Sequence, residues 1–181
     1  VFYSDDGQIL RAMQRSAGNG GLIMMHAENG IAIDVLVEQA LARGETDPRF
    51  HGEVRGALLE AEATHRAIRL AQVAGAPLYV VHVSATEAVA ELARARDEGL
   101  NVFGETCPQY LFLSTDNLAE PDFEGAKYVC STPLRPKEHQ AALWRGLRTN
   151  DLQVVSTDHC PFCFSGQKEL GRGDFSRIPN G

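Results

Sequence analysis

Three residues far apart along the chain stand where an apolar run gives way to a polar loop: His26 in MMHAENG, His82 in VVHVSA and Asp158 in STDH. Two imidazoles and a carboxylate are a donor set suited to zinc or a similar divalent ion, and a water on such an ion loses its proton near neutral pH. Asp158 could also take up and return that proton. A single histidine at a strand end is usually a hydrogen-bonded structural residue, but three such positions on successive units are hard to attribute to coincidence. His159, next to Asp158, could line the same site or support a ligand from behind.

STDHCPFC admits a rival reading, because Cys160 and Cys163 form a C-x-x-C pair. A redox pair of this kind normally opens a helix whose N-terminus lowers a thiol pKa, whereas CPFCFSGQKELG continues into a glycine-containing loop. A zinc knuckle needs a second close pair, and Cys107 and Cys130 are far from each other. Cys160 is therefore expected to pack beside the site and Cys163 to be incidental. His65 and His139 lie within helical patterns and His51 in a polar turn, and all three are expected to be structural or exposed.

The elements that must position these residues alternate. GQILRAMQRSAG places apolar residues at helical spacing, and GLIMMH reads as a strand buried on both faces. Helical patterns follow over IAIDVLVEQALARG and over 53–75, the latter stopped by Gly75. PLYVVHV then reads as a strand, SATEAVAELARARDEG as a helix capped by Ser84 or Thr86, and LNVFGETC as another strand. KYVCS is strand-like, PKEHQAALWRGLRTN helical with Pro136 near its start, and LQVVSTD a last strand. Such alternation predicts an α/β fold with a parallel sheet. No strand is followed by the glycine-rich phosphate turn of a doubly wound nucleotide binder, which favours a (β/α)8 barrel, where C-terminal strand ends share one rim.

At 181 residues, 44% apolar and 23% charged, the chain is long enough for one sizeable core. The net charge of −7 and the lack of a basic patch argue against a nucleic-acid surface. Its apolar runs are far shorter than the roughly 20 residues of a membrane helix. Four scattered cysteines predict reduced thiols and an intracellular protein. The opening VFYSDDG without an initiator Met and the ending RIPNG suggest that both ends are cut.

At HAENG, HVSATEAV, FGETCPQYL, YVCSTPLR, STDHCPF and IPNG the chain closely resembles the dihydropyrimidinases and D-hydantoinases, cyclic amide hydrolases of the amidohydrolase superfamily. The resemblance runs in order through essentially all 181 residues. It implies one incomplete domain over 1–181, the second half of a TIM-like (β/α)8 barrel with parallel strands, truncated at both ends. It further implies two divalent metal ions, zinc in the usual case, with His26 and His82 on one metal and Asp158 on the other while also serving as the proton-transfer group. Backbone groups at Ser131 and Asn180 would hold the small-molecule cyclic amide. A hydroxide bridging the two metals would then open a dihydropyrimidine or hydantoin ring to an N-carbamoyl amino acid. Thr132 stands where the usual form, CSPPLR, has a proline.

By the same alignment an H-x-H pair, a carboxylated lysine bridging the metals and an oxyanion-stabilising tyrosine lie upstream of Val1. The resemblance thus implies an active parent, an inactive 181-residue piece, a cytoplasmic location and a homotetramer, with the 53–75 helix a candidate for its interface. Allantoinases and dihydroorotases are the neighbouring enzyme classes. A scaffold relative that has lost its metal ligands is the non-enzymatic alternative, against which the retained His26, His82 and Asp158 argue.

Overall fold

The computed structural model describes residues 3–181. Helix α1 (Asp6–Asn19) begins with a reciprocal cap, in which Asp5 accepts from the Gln8 amide and the Gln8 side chain accepts from the Asp5 amide. Strand β1 (Ile23–Met25), helices α2 (Gly30–Ala42), α3 (Arg49–Val54) and α4 (Ala57–Ala74), and strand β2 (Leu78–Val80) follow. Then come α5 (Thr86–Asp97), β3 (Val102–Thr106), α6 (Pro108–Phe112), α7 (Thr115–Leu118), α8 (Glu138–Thr149) and β4 (Val154–Val155).

The four strands pair in parallel in the order β1-β2-β3-β4, with Met25 opposite Val80, Val80 opposite Gly104 and Thr106 opposite Val155. A doubly wound sheet reverses its strand order at a switch point; an unbroken sequential order is instead an arc of a barrel, and it brings every C-terminal strand end to one rim. Leu78, Val80 and Val102 of the sheet are buried together with Ala67 and Ala71 of α4, Ala88 and Leu92 of α5, Leu143 of α8 and Leu152. Each fully buried Leu contributes on the order of 1.5–3 kcal/mol. Alanines on the facing sides of α4 and α5 let the two helices approach closely. Gly104 in β3 lets Leu92 and Leu152 pack against the strand, for a Cβ there would lie 2.6 Å from a Leu92 methyl carbon and 2.9 Å from one of Leu152 and both side chains would have to shift.

Four local expectations are corrected. The pattern over 53–75 is two helices: Arg55 and Gly56 leave the helical region, and the Arg55 carbonyl so released accepts a hydrogen bond from the Arg135 guanidinium. KYVCS is not a strand; residues 124–128 form a 3-10 turn, and the Val129 carbonyl takes the Gly181 amide at 3.1 Å and Lys168 Nζ at 2.9 Å in place of a strand partner. GLIMMH is not buried on both faces, for Met24 is 63% exposed where β1 has β2 as its one neighbour among the described residues. Neither Ser84 nor Thr86 caps α5; the Thr86 amide donates to His139 Nδ1 at 3.0 Å, a cap delivered from α8.

Candidate active site

His26 follows the last residue of β1, His82 lies two residues beyond β2, and Asp158 three beyond β4. Parallel pairing therefore sets all three at the same end of the sheet. His26 Nδ1 and His82 Nε2 are 2.8 Å apart, with the rings edge-on at a centroid distance of 4.6 Å. His82 and Asp158 both have left-handed backbones, φ 42° and 47°. For residues other than glycine this conformation costs on the order of 1–3 kcal/mol and is retained mainly where surrounding structure enforces it, typically at functional sites.

The other His26 nitrogen, Nε2, lies 2.9 Å from Glu28 Oε2, which also accepts from Arg55 Nη1 at 2.7 Å. The Glu28 side chain is almost entirely buried. Burial alone would raise its pKa, but the hydrogen bond from His26 and the charge of Arg55 outweigh it and hold the carboxyl below its usual value. An ionised Glu28 favours the tautomer with the proton on His26 Nε2, in which Nδ1 is the lone-pair nitrogen facing His82. Burial, then the proximity of His26, pushes the His82 pKa down, while the charge of Asp158 pulls it up. His82 is accordingly neutral at pH 7, and its Nδ1 is buried without a hydrogen-bond partner.

Two cavities open along this rim. One, of about 250 Å³, is lined by Asp158, His159, Cys160, Ser131 and Asn180; the other, of about 590 Å³, by His26, Glu28, Arg55 and again Ser131 and Asn180. Ser131 and Asn180 thus line both the cavity of the Asp158 carboxylate and that of His26. They are held side by side by the Gly181 amide, which donates to Val129 O. Ser131 Oγ is buried with no partner. His51 Nε2 reaches the Cys130 carbonyl at 2.8 Å and so fixes the residue before Ser131; burial, then the nearby charge of Arg55, lowers its pKa to about 4. His65 pairs with Glu91 on the helical surface, and all four cysteines are free thiols. Cys160 and Cys163 are both exposed.

A buried polar frame missing from the sequence reading sets the loop that carries His82. Glu60 accepts from the Ser84 amide at 2.8 Å, from Ser84 Oγ at 2.6 Å and from Arg135 Nη2 at 2.7 Å, while Arg135 Nε donates to Ser84 Oγ at 3.0 Å. Glu28, Arg55, Glu60 and Arg135 look like ordinary surface charges in sequence. The one available signal is position, since Glu28 follows His26 by two residues at a strand end.

His26 and His82 offer a divalent ion two converging ring nitrogens, Nδ1 of the first and Nε2 of the second, and the His26 ring is backed through its Nε2 by the buried Glu28 carboxylate. The fit is partial, for among the described residues no three His, Cys, Asp or Glu side chains are gathered closely enough to enclose an ion.

Sequential parallel strands carrying these groups at their C-terminal ends define part of a TIM-like amidohydrolase barrel. No protein-family model matches the chain. It is 97% identical over all 181 residues to a D-hydantoinase of Streptomyces coelicolor and 55% identical to one of Geobacillus stearothermophilus. It spans 39% and 38% of their lengths. The crystal structure of dihydropyrimidinase from Brevibacillus agri matches it with a TM-score of 0.99 at 55% identity, over all of this chain and 39% of that one. The chain belongs to the D-hydantoinase and dihydropyrimidinase family and corresponds to about two fifths of its members' length.

Proposed function

We propose that the protein carrying this chain hydrolyses the ring amide of a hydantoin or 5,6-dihydropyrimidine to an N-carbamoyl amino acid. The observation that carries this reading is the 2.8 Å approach of His26 and His82 at the rim, with His26 and Asp158 lining two cavities that share Ser131 and Asn180 as a common wall. His26, His82 and Asp158 would hold divalent metal, zinc by donor type, with the remaining ligands coming from outside this chain. Such a metal, when bound, polarises the amide carbonyl and acidifies water.

The chain's own residues do the rest. Glu28 keeps the His26 proton on Nε2, leaving the Nδ1 lone pair to bind metal. Backbone groups at Ser131 and Asn180 orient the ring amide toward the rim. A carboxylate oxygen of Asp158 accepts a proton from the attacking water as the new C–O bond forms, then returns it to the ring nitrogen as the C–N bond breaks. This division of labour needs ligands beyond this chain, so the 181-residue chain alone is expected to show no turnover.

The test is zinc-dependent hydrolysis by a full-length protein carrying this chain, with initial rates compared on hydantoin, dihydrouracil, allantoin and dihydroorotate. Hydantoin or dihydrouracil should be opened fastest. Asp158→Asn should cut the rate by roughly 10²–10⁴-fold with the fold intact. Undiminished turnover in Asp158→Asn would refute the assignment, and preference for allantoin or dihydroorotate would move the protein to a neighbouring class.

A further inference from the structure

His82 is held in its left-handed conformation from both sides. Its amide N–H donates to Glu105 Oε1 at 3.3 Å, and the same carboxylate is anchored through Oε2 by the Tyr79 hydroxyl at 2.6 Å. Its carbonyl accepts from Thr132 Oγ1 at 3.0 Å. Thr132 is in turn pinned by Tyr110, whose hydroxyl donates to the Thr132 carbonyl at 2.8 Å and lies 3.2 Å from Oγ1. His82, Glu105, Tyr110 and Thr132 are all buried, so no water competes for these groups.

We propose that Thr132 is a positioning residue for metal binding: its hydroxyl, by gripping the His82 carbonyl, keeps the imidazole aimed at His26. A backbone at φ 42° swings back toward the common regions when one of its flanking peptide groups is released, and the ring swings with it. Thr132 sits 50 residues from His82 in sequence, on the stretch that also carries Ser131. One residue therefore couples the imidazole pair to the wall between the two cavities. The Thr132 hydroxyl is engaged by the His82 carbonyl and the Tyr110 hydroxyl, so its effect on the metal would pass through His82.

The inference rests on the proposed metal site, and its test reads zinc affinity without substrate. In the full-length protein, Thr132→Val keeps the shape of the side chain and removes the hydroxyl; Thr132→Ser keeps the hydroxyl and removes the methyl. Should Thr132→Val not fold, Thr132→Ala against Thr132→Ser poses the same question at near-equal volume. Competition with a chelator should show the zinc dissociation constant raised about tenfold in the Val or Ala variant, the scale seen when groups behind a metal ligand are lost. Thr132→Ser should restore it. At limiting zinc, kcat should fall with KM unchanged, and excess zinc should bring kcat back. Unaltered zinc affinity in the variants lacking the hydroxyl, or a Ser variant as weak as Ala, would overturn the proposal. A wild type that opens hydantoin while every variant holds zinc equally would sink this inference alone. A protein that binds zinc as described but opens no cyclic amide would sink the functional reading and leave Thr132 standing.

Discussion

His26 and His82, 56 residues apart in sequence, meet nitrogen to nitrogen at 2.8 Å across the ends of two neighbouring parallel strands. The register that pairs Met25 with Val80 brings both strand ends to the same rim, and the left-handed backbone of His82, two residues beyond Val80, completes the approach. Two ring nitrogens so placed meet through a single shared proton, and under the proposed function a divalent cation would take its place.

Glu28 governs which nitrogen of His26 is presented. Glu28→Gln keeps the size but replaces the ionised acceptor by a neutral amide beside Arg55. Metal affinity and turnover should each fall about 10–100-fold, as is typical when the partner of a ligating histidine is lost. Equilibrium dialysis against zinc, run alongside hydantoin hydrolysis, measures both; wild-type affinity in this variant would remove Glu28 from the account.

The Glu60–Arg135 pair is a separate, structural matter. Both side chains are about 95% or more buried, so deleting one leaves a charge without a counterion in the interior. Arg135→Leu should destabilise the protein by roughly 3–5 kcal/mol, and the double variant with Glu60→Leu should recover part of that loss. Urea unfolding curves of the two variants decide it, and a single variant as stable as wild type would show that the pair is dispensable.

Much of this site is legible in the sequence where one residue type ends one apolar run. MMH, VVH and VVSTD each mark a strand end, and the structure sets all three on one rim. The helix over 53–75 misleads because its many Ala, Leu and Glu outweigh the single Gly56, while the break at Arg55 and Gly56 is secured by a hydrogen bond from Arg135, 80 residues away, to the Arg55 carbonyl. KYVCS has strand-like residues, but the Val129 carbonyl is taken by Lys168 and Gly181. Glu28, Arg55, Glu60 and Arg135 carry no local mark, since a charged residue bound for the interior looks like any other until its partner folds against it.

His51 predicts a pH dependence. Its folded pKa of about 4 lies below the ordinary 6.5, so the unfolded chain takes up the proton first as pH falls. The stability tied to neutral His51 is complete above about 6.5 and is lost progressively down to about 4, amounting to about 3 kcal/mol. Unfolding free energies measured at pH 7 and pH 4.5 should differ less in His51→Gln than in wild type by an amount of this order. Equal differences in the two proteins would show that His51 does not titrate between those limits.

An anomalous-scattering map of zinc-loaded crystals of a full-length protein carrying this chain tests whether His26 and His82 hold the metal. A zinc peak is expected about 2.0–2.1 Å from both His26 Nδ1 and His82 Nε2, with the Asp158 carboxylate bordering the same metal site. Zinc bound elsewhere, or His26 and His82 still joined only to each other in the loaded protein, would contradict that assignment.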